Sequence, residues 1–145
     1  MGTTRSRFSE PRTAPRPRHA TQILLVEDDS LVRQVLSRTL RDDGYAVIEA
    51  DRTALLERAR TVAAGGELPE IDIVVSDART LDDSGYAALK ELRHFDWVLP
   101  ILLFAPAVDA TLSEHARQLH ADAIAIETLD PERVRATVEL VIAPN

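Results

Sequence analysis

Apolar runs and amphipathic segments alternate along the chain from residue 22 onward. Runs such as Ile23-Leu24-Leu25-Val26 are continuously apolar, which is typical of strands buried on both faces of a sheet. Between the runs, apolar residues recur at helical spacing. In residues 30–42, for example, one helical face carries Leu31, Val32, Val35, Leu36, Thr39 and Leu40. The pattern predicts a regular alternation of strands and helices.

Ten elements follow from this pattern. The predicted strands are residues 22–26, 45–49, 71–76, 99–105 and 122–126. The predicted helices are residues 30–42, 52–63, 84–94, 109–120 and 131–142. Asp29 or Ser30 can cap the first helix, Gly44 suits its C-terminus, and Pro131 suits the first turn of the last helix. Five strands alternating with five helices predict an α/β fold with a doubly wound, five-stranded parallel sheet.

Acidic residues stand at the ends of two of the apolar runs. Glu27-Asp28-Asp29 follows the first strand, and Asp77 follows the third. In an open α/β sheet, ligands bind beyond the carboxyl ends of the strands, so these carboxylates should meet at one edge. Each pair of like charges at ~5 Å costs about 3 kcal/mol at an effective dielectric constant of ~20. The cluster therefore predicts a hard divalent cation with oxygen ligands, as Mg²⁺ prefers.

Composition narrows the classes of protein to consider. The chain has 145 residues, 45% of them hydrophobic, which is enough for one domain with a normal core. It contains no cysteine, so disulfides and thiolate metal sites are excluded. The sequence has no apolar stretch long enough to cross a membrane and no signal-peptide core at its start, so we expect a cytoplasmic protein without membrane contact.

Charge divides the chain into a basic leader and an acidic body. Residues 1–22 hold five arginines and one acidic residue, whereas the remainder holds 12 basic and 23 acidic residues. The acidic body should repel nucleic acid, so we expect the core to bind none. We predict that residues 1–21 are a disordered leader and that residues 22–143 form the domain. Alternatively, the leader contacts nucleic acid or an acidic membrane surface.

The order and spacing of these motifs resemble the receiver domain of two-component response regulators, over about Gln22 to Ala143. Leu25-Val26-Glu27-Asp28-Asp29 is similar to the acidic pair after the family's first strand. Val74-Val75-Ser76-Asp77 is similar to the phospho-accepting aspartate, and Gly85 follows Asp77 at the family's spacing. Leu99-Pro100-Ile101-Leu102-Leu103 resembles the fourth strand. The resemblance implies a flavodoxin-like (βα)₅ receiver fold.

The resemblance also implies roles for individual residues. Asp77 would be the phosphoacceptor, taking a phosphoryl group from a histidine kinase or a small phosphodonor. Asp28 and Asp77 would bind Mg²⁺ directly, Glu27 mostly through water, and the backbone carbonyl of Arg79 would supply a further ligand. Helix capping is the alternative role for Asp28 and, above all, for Asp29.

Four positions depart from the family pattern. Ala105 stands where a Thr or Ser hydroxyl usually binds the phosphoryl group, and Glu127 stands where a lysine is usual. Ile124 replaces a frequent aromatic residue of the fifth strand, and Thr80-Leu81 replaces Met-Pro. The lost lysine removes a charge-assisted hydrogen bond worth ~1.5–3 kcal/mol.

Two of these positions leave alternatives open. Glu127 either faces the pocket, where it would repel the phosphoryl group, or turns to solvent. Arg79 either replaces the lysine as a compensating cation or is an exposed loop residue. The family usually transmits its signal through a coupling between the hydroxyl residue and the aromatic residue. Because both are missing here, we expect this chain to transmit any signal by another mechanism.

The sequence therefore supports a receiver of a two-component phosphorelay, phosphorylated on Asp77 with Mg²⁺, and not an enzyme beyond self-catalysed phosphoryl transfer and autodephosphorylation. Its expected partners are a histidine kinase or phosphotransfer protein and a downstream protein, with a homodimer through helix 4, strand 5 and helix 5 as a further expectation. It would act either as a single-domain receiver that binds a partner protein or as a fragment of a larger regulator or hybrid kinase. One alternative is a degenerate receiver that serves as a phosphorylation-independent interaction module. Another, a magnesium-dependent phosphatase, would need an acid where Arg79 stands.

Overall fold

The computed structural model describes residues 21–66, 70–126 and 130–143. The strands are β1 (Gln22–Val26), β2 (Ala46–Ala50), β3 (Ile73–Asp77), β4 (Ile101–Ala105) and β5 (Asp122–Ala125). The helices are α1 (Ser30–Asp42), α2 (Arg52–Ala63), α3 (Asp83–Phe95), α4 (Ala110–Leu119) and α5 (Pro131–Ile142). A 3₁₀ turn, Ala78–Thr80, follows β3. All ten predicted elements are present in the described residues, and the predicted leader lies almost entirely outside them.

The five strands form one parallel sheet in the order β2-β1-β3-β4-β5. The order reverses beside β1, between its neighbours β2 and β3. The sequence prediction of a doubly wound, five-stranded parallel sheet is confirmed. At this reversal the crossovers leave in opposite directions, which opens a crevice at the carboxyl ends of β1 and β3.

Alternate strand residues fill two separate cores, one on each face of the sheet. Leu24 and Val74 belong to the core covered by α2, α3 and α4. Ile23 and Ile73 belong to the core covered by α1 and α5. Because both faces are covered, the central strands have no polar face, which explains their continuous apolar sequence.

Local signals in the sequence set the helix ends. The Asp29 side chain caps α1 by accepting hydrogen bonds from the backbone N–H groups of Leu31 and Val32. Gly44 has a positive φ of 96° just after α1, a conformation that glycine adopts without strain. Pro131 begins α5, where its missing N–H leaves no hydrogen bond unmade.

The predicted apolar face of α1 is only partly buried. Leu36 and Leu40 lie in the core, but Leu31 is 71% exposed and Val35 is 47% exposed. The helix meets the sheet along a narrower stripe than the apolar pattern suggested. No helix among the described residues combines the length and apolar character needed to cross a bilayer.

Arg93 is a buried cation that joins the ends of α3 and α4. Its Nε donates to the carbonyl of Leu119 at 2.9 Å, and its Nη1 donates to the carbonyl of Trp97 at 2.8 Å. A longer bond of 3.3 Å runs from Nη2 to the carbonyl of His120. The guanidinium thus satisfies carbonyls at the C-terminal ends of two helices, where a positive charge is also favoured.

We predict that Arg93→Met destabilises the protein by about 2–4 kcal/mol, because several buried carbonyls lose their donor. Urea unfolding followed by circular dichroism measures the change. The matched control is Arg60→Met, which removes an exposed arginine paired only with Glu57 and should cost less than about 0.5 kcal/mol. Equal effects of the two substitutions would contradict a structural role for Arg93.

Candidate functional site

The strand register brings Glu27 and Asp77 to the same level of the sheet. Val26 of β1 is paired with Ser76 of β3, so Glu27 and Asp77 follow one residue further along neighbouring strands. Both residues are buried, with 4% and 3% of their surfaces exposed. The predicted meeting of carboxylates from the first and third strands is therefore observed for this pair.

Asp77 is held by Arg79 through both of its oxygens. The Arg79 backbone N–H donates to Oδ1 at 2.9 Å, and Nε donates to the same oxygen at 3.1 Å. The guanidinium Nη2 reaches Oδ2 at 2.9 Å. The Asp77 side chain is 5% exposed and that of Arg79 is 64% exposed, so the guanidinium lies on the solvent side of the carboxylate. The hydrogen bonds to Asp77 raise the pKa of Arg79, which keeps it charged.

Glu27 carries the least satisfied carboxylate of the site. Its Oε2 accepts the backbone N–H of Asp29 at 3.1 Å, while Oε1 is buried and has no hydrogen-bond partner among the described residues. The pKa of Glu27 is raised to about 7, first because burial removes water from the charged form and also because the Asp77 carboxylate is close. The Asp29 N–H and the Arg79 charge oppose this rise.

Asp28 lies at the same edge but is turned toward the start of α2. Its Oδ1 accepts the backbone N–H of Arg52 at 2.7 Å, and its own N–H donates to Thr80 Oγ1 at 3.3 Å. The side chain is exposed. Within residues 21–66, 70–126 and 130–143, no three acidic, histidine or cysteine side chains stand close enough to hold a metal ion. The structure brings Glu27 and Asp77 together and leaves Asp28 beside them.

The chemistry of this edge fits a hard divalent cation. Glu27 and Asp77 supply only oxygen ligands, and Asp28 would add a third carboxylate on turning away from the Arg52 N–H. The buried Glu27 Oε1 accepts no hydrogen bond from the described residues. The Arg79 guanidinium already neutralises part of the charge on Asp77. A cation would need Asp28 to release the Arg52 N–H. That the Arg79 carbonyl joins the ligand set stays a prediction.

Of the positions that depart from the family pattern, Ala105 and Ile124 lie on β4 and β5. Ala105 is the last residue of β4, is 7% exposed and offers no hydroxyl. Ile124 lies within β5, beside Phe104 of β4. Glu127 lies outside the described residues. Asp29, whose side chain caps α1, has the capping role anticipated for it.

Three residues support the site without having been predicted from the sequence. Arg33 of α1 donates through Nη1 to the Glu27 carbonyl at 2.6 Å. The Arg52 side chain pairs with Asp82 at 3.3 Å while its backbone holds Asp28. Thr80 receives the Asp28 N–H. Arg52 follows the carboxyl end of β2, so the rule that drew attention to β1 and β3 could also have indicated this residue.

Fold, topology and site together define a class, and comparison with known proteins agrees with it. The family model for the response regulator receiver domain matches residues 23–139. The chain belongs to this family, whose members are receivers of two-component signalling. Relative to the usual pattern it is atypical, since Ala105 replaces the Thr or Ser and Glu127 replaces the Lys.

Curated relatives share part of their length with the chain. It is 33% identical over 96 residues to the C4-dicarboxylate transport transcriptional regulatory protein DctD of Pseudomonas aeruginosa, covering 66% of this chain and 20% of that protein. It is 28% identical over 123 residues to the transcriptional regulatory protein ZraR of Escherichia coli K12, covering 83% of this chain and 26% of that protein. The chain therefore spans about a quarter or less of these relatives.

Solved structures share the fold at low sequence identity. The chemotaxis protein CheY4 of Vibrio cholerae superposes with a TM-score of 0.68 at 24% identity, covering 83% of this chain and 98% of that one. The HemR receiver domain of Leptospira biflexa, in its non-phosphorylated form, gives a TM-score of 0.66 at 23% identity, covering 86% and 96%.

The raised pKa of Glu27 predicts a specific dependence of stability on pH. Between about pH 4.5 and 7 the folded state binds more protons than the unfolded state, so the free energy of unfolding falls as pH rises. Glu27→Gln should remove this slope and stabilise the protein above pH 7 by about 1–2 kcal/mol, because it removes a buried negative charge beside Asp77.

Urea unfolding without divalent cations from pH 5 to 8 tests this prediction. The control is Glu57→Gln, which neutralises an exposed carboxylate on α2 and should leave the slope unchanged. If wild type and Glu27→Gln gave parallel pH profiles, Glu27 would not titrate in this range.

Proposed function

We propose that this receiver accepts a phosphoryl group on Asp77, with Mg²⁺, and signals through protein–protein contacts. One observation carries the proposal: Asp77 is buried at the carboxyl end of β3, level with Glu27 of β1, at the sheet edge where the strand order reverses. The Arg79 guanidinium lies on the solvent side of this carboxylate. A phosphodonor would approach from that side.

The phosphoryl transfer would make Asp77 the nucleophile. One carboxylate oxygen forms a bond to phosphorus as the bond from phosphorus to the donor atom breaks, and an acyl phosphate results. Such a transfer depends mainly on positioning and on charge, since little covalent chemistry is left to the protein. The fixed place of Asp77 at the end of a central strand supports the in-line approach that the reaction needs.

Glu27, Asp28 and Asp77, with the backbone carbonyl of Arg79, are the residues that would hold Mg²⁺. When bound, the cation would offset the negative charge of the incoming phosphoryl group and orient it. The unpartnered Oε1 of Glu27 and its raised pKa support a cation at this position. Binding would displace the proton of Glu27, so the affinity should fall below pH 7.

The phosphoryl group would meet fewer donors here than in most receivers. Ala105 has no hydroxyl, and Glu127 cannot donate in place of a lysine. Arg79 is the candidate compensating cation, since its guanidinium lies beside the Asp77 oxygens on the solvent side. Its planar fork suits a phosphoryl group as well as a carboxylate.

The partners follow from the same proposal. A histidine kinase or phosphotransfer protein would supply the phosphoryl group, and a downstream protein would read the result. The surface of α4, β5 and α5 is a candidate contact face, also for a homodimer, because Leu140 of α5 is 78% exposed and β5 is an edge strand. We propose a cytoplasmic location, and no binding of nucleic acid by the acidic core.

The first test is formation of a phosphoryl-like adduct. Wild-type protein with Mg²⁺ and acetyl phosphate should gain a phosphoryl group by intact mass, and beryllofluoride should shift amide resonances near Asp77. Asp77→Asn should abolish both signals, because the amide is no nucleophile. An adduct that persisted in Asp77→Asn would place the acceptor elsewhere. Absence of any adduct in wild type, despite Mg²⁺ binding, would favour a phosphorylation-independent interaction module.

A second test concerns the position where lysine is usual. Glu127→Lys should raise the yield or lifetime of the adduct by up to about ten-fold, because a charge-assisted hydrogen bond replaces a repulsion. Intact mass spectrometry follows the amount of adduct over time. The control is Glu132→Lys, which makes the same change of charge on α5. Equal behaviour of Glu127→Lys and wild type would place Glu127 outside the pocket.

A further inference from the structure

Arg79 binds Asp77 in a way that uses the acceptor's own lone pairs. Oδ1 accepts two hydrogen bonds, from the backbone N–H and from Nε of Arg79, and Oδ2 accepts a third from Nη2. A carboxylate oxygen offers about two lone-pair sites. Hydrogen bonds from Arg79 alone therefore occupy both lone-pair sites of Oδ1 and one of the two sites of Oδ2.

The contact is fixed by the local backbone and not only by a flexible side chain. Arg79 lies within the 3₁₀ turn Ala78–Thr80, which is closed by the hydrogen bond from the Leu81 N–H to the Ala78 carbonyl at 3.1 Å. The next residue, Thr80, is tied to β1 through the Asp28 N–H. The turn thus presents both the N–H and the guanidinium of Arg79 to the same carboxylate.

Two other arginines near this edge have different partners. Arg52 directs its guanidinium to Asp82, at 3.3 Å, and its backbone N–H donates to Asp28. Arg33 of α1 donates to the Glu27 carbonyl and forms an ion pair with Glu49. Among the described residues, the cation on the Asp77 carboxylate is Arg79.

We propose that Arg79 is a resident counter-ion of Asp77 and gates the site, so that its guanidinium must leave the carboxylate before a divalent cation can bind there. The inference rests on the proposed cation site, and its phosphoryl consequences rest on the proposed function. Breaking the Arg79–Asp77 pair costs free energy. The observed affinity for the cation is therefore weaker than the affinity that the free carboxylates would have. The same competition would slow phosphoryl transfer when the cation is scarce.

Removal of the guanidinium should tighten cation binding. The Arg79–Asp77 pair is charge-assisted, but the Arg79 side chain is largely exposed, so we expect Arg79→Gln to lower the Kd for Mg²⁺ by about 3- to 10-fold. Arg79 is a surface residue, and a thermal melt checks that the variant is folded. Isothermal titration calorimetry with MgCl₂ at fixed ionic strength, without any phosphoryl analogue, gives the Kd.

Arg60→Gln is the matched control, because it removes an equal charge from an exposed arginine of α2 that pairs with Glu57 and is not among the residues placed at the site. We expect it to change the Kd by less than about two-fold. An affinity of Arg79→Gln no tighter than that of Arg60→Gln would overturn the gate. Binding of Mg²⁺ by neither variant nor wild type would overturn the cation site and the gate with it.

A spectroscopic signature separates release of Arg79 from a general electrostatic effect. In wild type, the ¹⁵N–¹H resonance of Arg79 Nε should shift as Mg²⁺ is added, following the same saturation curve as the calorimetry. If the chemical shift of Nε stayed unchanged while Mg²⁺ bound, the guanidinium would remain on Asp77. That result would contradict the proposal that Arg79 gates the site. Adduct formation is tested separately with Asp77→Asn, so failure of phosphorylation and failure of gating give different results.

Discussion

The close approach of two buried carboxylates, Glu27 and Asp77, is the constraint on which the rest of the site depends. It results from the parallel pairing of β1 with β3, which sets Val26 level with Ser76 and so brings the next residues together. Neither strand can shift to relieve the repulsion, because both are buried on two faces and a change of register would misplace the whole core. The relief must therefore come from a positive partner.

The structure contains two forms of that relief. Burial and the nearby Asp77 carboxylate raise the pKa of Glu27 to about 7, which favours its protonated form below that pH, and the Arg79 guanidinium lies against Asp77. A divalent cation would be the third form, and it would replace both of the others at once. On the proposed function, proton, arginine and metal would compete for the same pair of carboxylates. Sensitivity to pH and to cation concentration would then arise from one local balance of charge.

The order of elements could be predicted from the sequence because it depends on periodicity and on a few punctuating residues such as Asp29, Gly44 and Pro131. The pairing of Glu27 with Asp77 could be predicted because parallel strands present their carboxyl ends at one edge. The partners of Asp28 and Asp77 could not, because a side-chain contact depends on rotamers and on residues from other elements. Thus Arg52, at the start of α2, turns Asp28 aside, and α1 leaves its apolar Leu31 exposed because its contact with the sheet is narrow.

The missing hydroxyl at Ala105 changes where a charge on Asp77 can be sensed. β4 offers no polar side chain at its end, so a new charge would meet the 3₁₀ turn first, through the N–H and guanidinium of Arg79. That turn leads directly into Asp82, the cap of α3, whose carboxylate pairs with Arg52 of α2. Displacement of Arg79 would therefore act on the junction of α2 and α3 before it reached α4 and α5. On the proposed function, the β3–α3 connection would therefore sense the state of Asp77 more directly than the end of β4 does.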